Sequence, residues 1–551
     1  MKLNKLVLIL IVSVQSLLAQ EISITEVKVV EGFQPTIPEA SRLNENAVFS
    51  DTVERNRKQT YYVVDADLKS NYKTKPLKAA KVKDDKISKL YKSRISLGTG
   101  YRVGSKISVL YNSTRSKDMS YGILFNHFNN NVKVDEKQAG RSHNNLNLYT
   151  KKIKKHKIYI ANLDYERIGA FTYGNGTTDK NFFDNSIIKN NPFYNRFSYT
   201  KFNVSTISTS NDPDKLVRNA TFFFSDLNEL SENQINLSAD LSKTINGMPF
   251  SLRIELNDYM NYNNKDSRLE SSDVKSFHFV PETDFEKFGV DFEVGLALHF
   301  QMESTENELN VFPQIKATKE LVKDVLLLYG GLRHSKKRHT LKSLSDENPY
   351  IHSYGTNQSI LFGEAIVQEL ELTNTDELYF AMRNLLGKEE VFEGSVAYGR
   401  INNFFHFLGE DNGMYNRFRA SYLELVWQFH ANVNYERKIN DIVSIDASVD
   451  YFNWDDKKVF HKPDLIMDIQ IPINLRNKIK ANPSFSYEGS RMSQQDELPA
   501  LFYVNIGVFY SYSKQYSAYL QFNNLTNSKK ELWRDYKDVG FNGVFGIRYS
   551  F

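Results

Sequence analysis

The sequence predicts an all-β fold: a transmembrane antiparallel β-barrel of about 22 strands with an N-terminal periplasmic arm. Three observations lead there. Apolar and polar residues alternate with a period of two, connections alternate between short and long, and the chain ends on an apolar residue, Phe551, that closes a strand. Sustained alternation sets one face in an apolar medium and the other in a polar one. The longest runs reach roughly a dozen residues, near the 9–11 that cross a bilayer at a tilt and well above the five or six usual in soluble sheets.

Residues 1–20, "MKLNKLVLILIVSVQSLLAQ", have Lys2 and Lys5, then an apolar core from Leu6 to Val14, then small and polar residues. That core is too short to span a bilayer, so the segment reads as a secretory signal peptide cleaved near Ala19 and Gln20. Residues 21–92 form the arm. They carry Pro35, Pro38 and a lysine run from Lys73 to Lys92, too polar and irregular for a core of their own.

From Ser93 to Phe551 the period is two. In "FGVDFEVGLALHFQ", Phe288, Val290, Phe292, Val294, Leu296, Leu298 and Phe300 share one face, and Asp291, Glu293, His299 and Gln301 share the other. Segments 235–241, 443–451, 502–513 and 515–523 repeat the pattern. Short connections are expected at 115–118, 154–157, 211–215, 246–248, 387–390, 438–441 and 513–515. Long ones are expected near 130–141, 173–196, 263–271, 335–375, 405–414, 455–462, 489–499 and 527–540. Short turns inside and long loops outside are the rule for outer-membrane barrels. Tyr510, Tyr512 and Tyr516 at one end, and Tyr451, Phe452 and Trp454 at the other, are expected in interfacial girdles.

A barrel loses its edges only if its first and last strands pair. That accounts for a final strand, "FNGVFGIRYSF", that stays regular to the carboxyl terminus.

Composition narrows the rest. A mean hydropathy of −0.49 and no apolar run of 18 residues after the N-terminus exclude helical spans. The net charge of +4 gives no whole-chain sign of nucleic-acid binding. With no cysteine, disulfides, thiolate metal sites and a lipid anchor on cysteine are excluded.

The C-terminus resembles that of bacterial outer-membrane barrels, which end in alternating aromatics and a terminal Phe. By that resemblance Tyr549 and Phe551 are the signal read by the barrel-assembly machinery. The longer stretch "YLQFNNLTNSKKELWRDYKDVGFNGVFGIRYSF" resembles the end of TonB-dependent receptors, whose barrels have 22 strands. "LSDENPYI", 344–351, is similar to plugless receptor-like barrels of Bacteroidetes. Such receptors begin with a plug domain, and residues 21–92 lack its Gly- and Arg-rich motifs, although "ITEVKVV" at 24–30 faintly resembles a TonB box.

No catalytic constellation stands out: neither G-x-S-x-G nor H-E-x-x-H occurs, so no enzyme, metal or cofactor is expected. His334 and His339 read as a solvated loop tip, and His299 as a polar wall residue. Arg253, Asp291, Glu293, Asp446, Asp450 and Arg548 fall on the faces expected to line a water-filled lumen. Two functions fit. One is passage or gated uptake of solutes, with the lumen closed by the arm, by the 335–375 loop or by a plugging or periplasmic partner. The other is a non-transporting scaffold in an envelope complex. Either way the expected surroundings are outer-membrane lipid.

Overall fold

The structure is a computed structural model. It describes residues 90–551 apart from 115, 175–192, 211, 213–214, 262–272, 303–306, 352–369, 388 and 413–414. The signal peptide, nearly all of the arm, the 24–30 stretch and "SILFGEAIV" at 359–367 lie outside the described residues.

Among the described residues, 22 barrel strands follow one another antiparallel around a closed ring. They begin with β1 Ser93–Tyr101, β2 Val103–Asn112, β3 Met119–Asn129, β4 Arg141–Lys154, β5 Lys157–Phe171 and β6 Tyr194–Ser208. Next come β7 Val217–Leu227, β8 Glu232–Ile245, β9 Met248–Asn261, β10 Val274–Lys287, β11 Val290–Met302 and β12 Asn307–Val322. These are followed by β13 Leu326–Arg338, β14 Leu372–Leu385, β15 Glu390–Asn412, β16 Tyr415–Lys438 and β17 Ser444–Trp454. β18 has two pieces, Leu465–Gln470 and Ile473–Leu475, on either side of Pro472, which cannot donate to a ladder. The ring ends with β19 Ile479–Glu488, β20 Leu501–Ser511, β21 Tyr516–Asn523 and β22 Asn542–Ser550.

Closure follows the expected physics. β1 pairs with β22 from Arg94↔Ser550 to Tyr101↔Gly543. Ser93 and Phe551 then exchange both backbone hydrogen bonds, at 3.0 and 2.9 Å. The terminal Phe is thus the last rung of the seam that closes the barrel. The faces turned away from the lumen carry exposed Leu97, Phe222, Leu237, Leu256, Leu296, Phe502, Phe545 and Ile547. A continuous apolar surface of this size belongs against hydrocarbon.

Three expectations need correction. Of the loop expected at 405–414, residues 405–412 are strand, because β15 runs to Asn412 and pairs with β16 from Glu390↔Arg437 to Asn412↔Tyr415. The 335–375 loop is shorter than expected, since β13 runs to Arg338 and β14 starts at Leu372. At the outer girdle only Tyr451 lies on the exposed face. Phe452 and Trp454 point the other way, where Phe452 stacks on His430 and Trp454 packs edge-on against Phe404.

Candidate functional site: the capped mouth of the barrel

A ring of 22 strands spaced about 4.8 Å apart and tilted about 40° is on the order of 40 Å across. Contacts between distant strands therefore mean that chain crosses the lumen. The crossing starts at β13. β12 and β13 pair only from Val322↔Leu326 to Ile315↔Leu332, after which β13 parts from β12 and bends inward while staying paired with β14 up to Arg338↔Leu372. Gly331 permits the departure: a Cβ there would lie 1.9 Å from the Ile315 carbonyl oxygen.

Above that point β13 runs over the inner faces of its neighbours. The His334 ring lies flat on Phe312 of β12, with centroids 3.7 Å apart. Lys336 donates to His299 Nδ1 of β11 at 3.1 Å, and the Arg338 guanidinium sits 6.0 Å from the Tyr259 ring of β9. Between them a cavity of about 130 Å³ is lined by Glu255, Asn257, Tyr259, His299, Lys336 and Arg338.

The chain then turns into a short helix, α1 (Leu341–Glu347), with Thr340 and Ser343 capping each other's backbone. Glu232, the first residue of β8, accepts from the backbone N–H of Leu341 at 2.6 Å and of Lys342 at 3.2 Å. Lys342 reaches Glu166 of β5 at 2.7 Å.

The "NPYI" tetrad that follows α1 is clasped from several sides. Asn348 Oδ1 accepts from the Tyr350 N–H. Asn195 of β6 donates to the carbonyls of Pro349 and Ile351, both at 2.9 Å. Arg141 of β4 donates to the Tyr350 hydroxyl, and the Phe418 N–H of β16 donates to the Tyr350 carbonyl at 3.2 Å. The Tyr350 ring stacks on Tyr536 from the β21–β22 loop at 3.7 Å.

Arg417 of β16 is buried and donates to Asn195 Oδ1 at 3.2 Å and to Thr172 at 3.4 Å. β16 and β6 are ten places apart in a ring of 22, so this contact joins nearly opposite walls. Leu227, Leu230, Leu341, Leu344, Phe407 and Phe418 make up much of the apolar core beneath it. Ion pairs tie down the rim: Lys462 with Glu347 at 2.5 Å and Lys537 with Asp135 at 2.8 Å.

His334 and His339 are not a solvated tip. Both are buried, His334 bonded to Asp376 at 2.7 Å and His339 stacked on Phe405 at 4.2 Å. His339 and His461, both in long-loop segments, have their pKa values pushed down to about 3 by burial, with nearby Lys and Arg adding to the effect.

The six residues assigned to the lumen do not meet in one place. Arg253 pairs with Asp240 at 3.2 Å, Glu293 with Lys316 at 2.7 Å, and Asp450 with His430 at 2.9 Å. Arg548 lies 5.1 Å from the Phe509 ring, Asp291 is backbone-paired with Thr318, and Asp446 with Glu436 and Gln470. Tyr549 stacks on Phe551 at 5.4 Å and meets Tyr516 at 4.7 Å, at the short-turn end.

Sequence reasoning missed Arg417, Asn195, Arg141, Glu232 and Tyr536. Of the cap, the sequence offered the 335–375 loop, which contains "NPYI", as one of three candidates for closing the lumen.

No family model and no curated protein sequence matches this chain. Solved structures do. A mutant of the ferric enterobactin receptor PfeA from Pseudomonas aeruginosa is 10% identical, covering 83% of this chain and 80% of that one, with a TM-score of 0.58. The siderophore receptor PirA from Acinetobacter baumannii is 11% identical over 85% and 81%, with a TM-score of 0.60. The copper transporter OprC is 11% identical over 83% and 80%, with a TM-score of 0.58. The resemblance at the C-terminus thus extends to the whole ring, and this chain is a 22-stranded antiparallel β-barrel with the fold of those receptors.

Proposed function

We propose that this chain is a gated passage protein of the bacterial outer membrane, a receptor-like barrel whose long-loop segments close its own mouth. One observation carries the reading: residues 332–351 and the β15–β16 hairpin bridge opposite walls over a buried apolar core. A 22-stranded ring left open would be an aqueous hole. Here closure at the outer end needs no plug domain and no partner.

Below the cap, Arg253, Asp291, Glu293, Asp446, Asp450 and Arg548 line a water-facing wall along which a solute would pass. Tyr549 and Phe551 present the final strand to the assembly machinery. The neighbours are receptors for siderophores and a copper transporter by name, which favours transport over catalysis.

The test exploits the absence of native cysteine. Cysteines replacing Glu347 and Lys462, whose side chains pair across the rim, would be joined by a short bismaleimide. In proteoliposomes the uncrosslinked protein should support slow swelling in small sugars, and crosslinking should abolish it where a monofunctional maleimide does not. Equal swelling in both would overturn gating by the cap.

A further inference from the structure

The lumen wall at the closing seam differs in charge from the rest of the ring. β20, β21, β22, β1, β2 and β3 contain no Asp or Glu, yet Arg548, Arg94 and Lys106 stand on three adjacent strands among them. Their register sets all three on the face opposite lipid-facing Leu97 and Ile547. Elsewhere on the inner wall cations are matched: Arg253 with Asp240, Lys316 with Glu293 and Arg333 with Glu377. Among the described residues no carboxylate pairs with Arg548, Arg94 or Lys106. Arg548 Nε is buried and has no acceptor there.

One row of paired residues presents these cations. From β19 to β2 it runs Lys480, Phe509, Tyr519, Gly546, Gly98 and Lys106. The glycines make room for the Tyr519 ring: a Cβ at Gly546 would lie 2.2 Å from its Cζ, and one at Gly98 2.5 Å from its hydroxyl oxygen. Tyr519 stacks on Phe509 at 5.6 Å, and the Arg548 guanidinium lies 5.1 Å from the Phe509 ring. Lys106 donates to Gln521 Oε1 at 2.7 Å, which draws its ammonium toward the same aromatic pair. Beside the pair is a cavity of about 720 Å³, lined by Lys480, Asn482, Ser484, Asn505, Phe509 and Gln521. It extends to the β16–β17 turn and so lies at the short-turn end, away from the cap. Its one carboxylate, Asp441, is already paired with Lys438 at 2.7 Å. Amide and hydroxyl side chains both donate and accept, which matches the hydroxyls of a polyol. Unmatched cations on a half-buried wall match an anion.

Building on the passage reading, we propose that this seam wall is a solute-binding site for a polyhydroxylated organic anion, a sugar bearing a phosphate or a carboxylate. The anionic group is held among Arg548, Lys106 and Lys480. The hydroxyls bond to Asn482, Asn505 and Gln521 in the cavity. Arg94, nearest the short-turn end, extends the positive field to the lip of the barrel.

The test is calorimetric titration of the full-length protein, in detergent at low ionic strength, with glucose 6-phosphate, gluconate, glucose and inorganic phosphate. The better of the two sugar anions, which identifies the acidic group, should bind about tenfold more tightly than either glucose or phosphate. K106Q/R548Q, with heat-modifiable barrel retained, should lose about tenfold of that affinity. Lys480→Gln, at an exposed position that leaves folding intact, should lose about threefold. Arg253→Gln, on the lumen wall but matched by Asp240, should lose none. Equal affinity for glucose or for phosphate, full affinity in K106Q/R548Q or in Lys480→Gln, or an equal loss in Arg253→Gln would each overturn it. Binding at the short-turn end does not require the cap to open. A barrel that binds the anion but never conducts therefore refutes passage alone, and one that conducts without binding refutes the site alone.

Discussion

Arg417 is the residue on which the cap turns. It carries a charge into a buried site and reaches Asn195 and Thr172 on the far wall. Arg417→Met keeps the bulk and removes the donors, which should loosen the cap by about 1–3 kcal/mol. Steady conductance should rise with little change in heat-modifiable barrel. His339 and His461 add a pH dependence whose sign is fixed by burial. Their folded pKa values, about 3, lie below the unfolded value of about 6.5. Each therefore contributes fully above pH 6.5, and its contribution falls by about 1.4 kcal/mol per pH unit as the pH drops toward 3. Trp533 packs against His461 at 5.3 Å. Its emission, read in a W427F/W454F background, should report cap opening on acidification, and H339F/H461F should flatten the response.

Strands were legible in the sequence; of the cap only the 335–375 loop was, as one of three candidates for closure, and the contacts that hold it were not, for a physical reason. Alternation reports only which medium each face meets, and lipid against water is a strong contrast along every strand. β11 and β22 are therefore plain in "FGVDFEVGLALHFQ" and "FNGVFGIRYSF". The β15–β16 hairpin keeps its pairing past the rim, but Phe404, Phe405, His406 and Phe407 are all buried there, so period two no longer separates strand from loop in the sequence. Burial of His334 and His339 depends on Phe312 and Phe405, which are distant in sequence and brought against them where β13 parts from β12 and bends inward. That departure hinges on one close approach. Gly331→Ala would set a methyl 1.9 Å from the Ile315 carbonyl oxygen and should sharply lower the yield of heat-modifiable barrel. Gly507→Ala, where a Cβ meets nothing within 4 Å, should leave the yield unchanged.

For the molecule as a whole, sidedness follows from where the tight turns lie. Lys438 pairs with Asp441 in the β16–β17 turn at the end that holds both Ser93 and Phe551, while Lys457 lies in the β17–β18 loop at the capped end. An epitope after Lys457 should be labelled on intact cells, and one after Asp441 only after permeabilisation. Closure is the central claim, and single-channel conductance in planar bilayers tests it most directly. The intact protein should show small, infrequent openings. A variant with residues 340–351 replaced by a short Gly-Ser link should show a large and steady conductance. A large permanent conductance in the intact protein, or no difference between the two, would contradict closure by the chain's own loops.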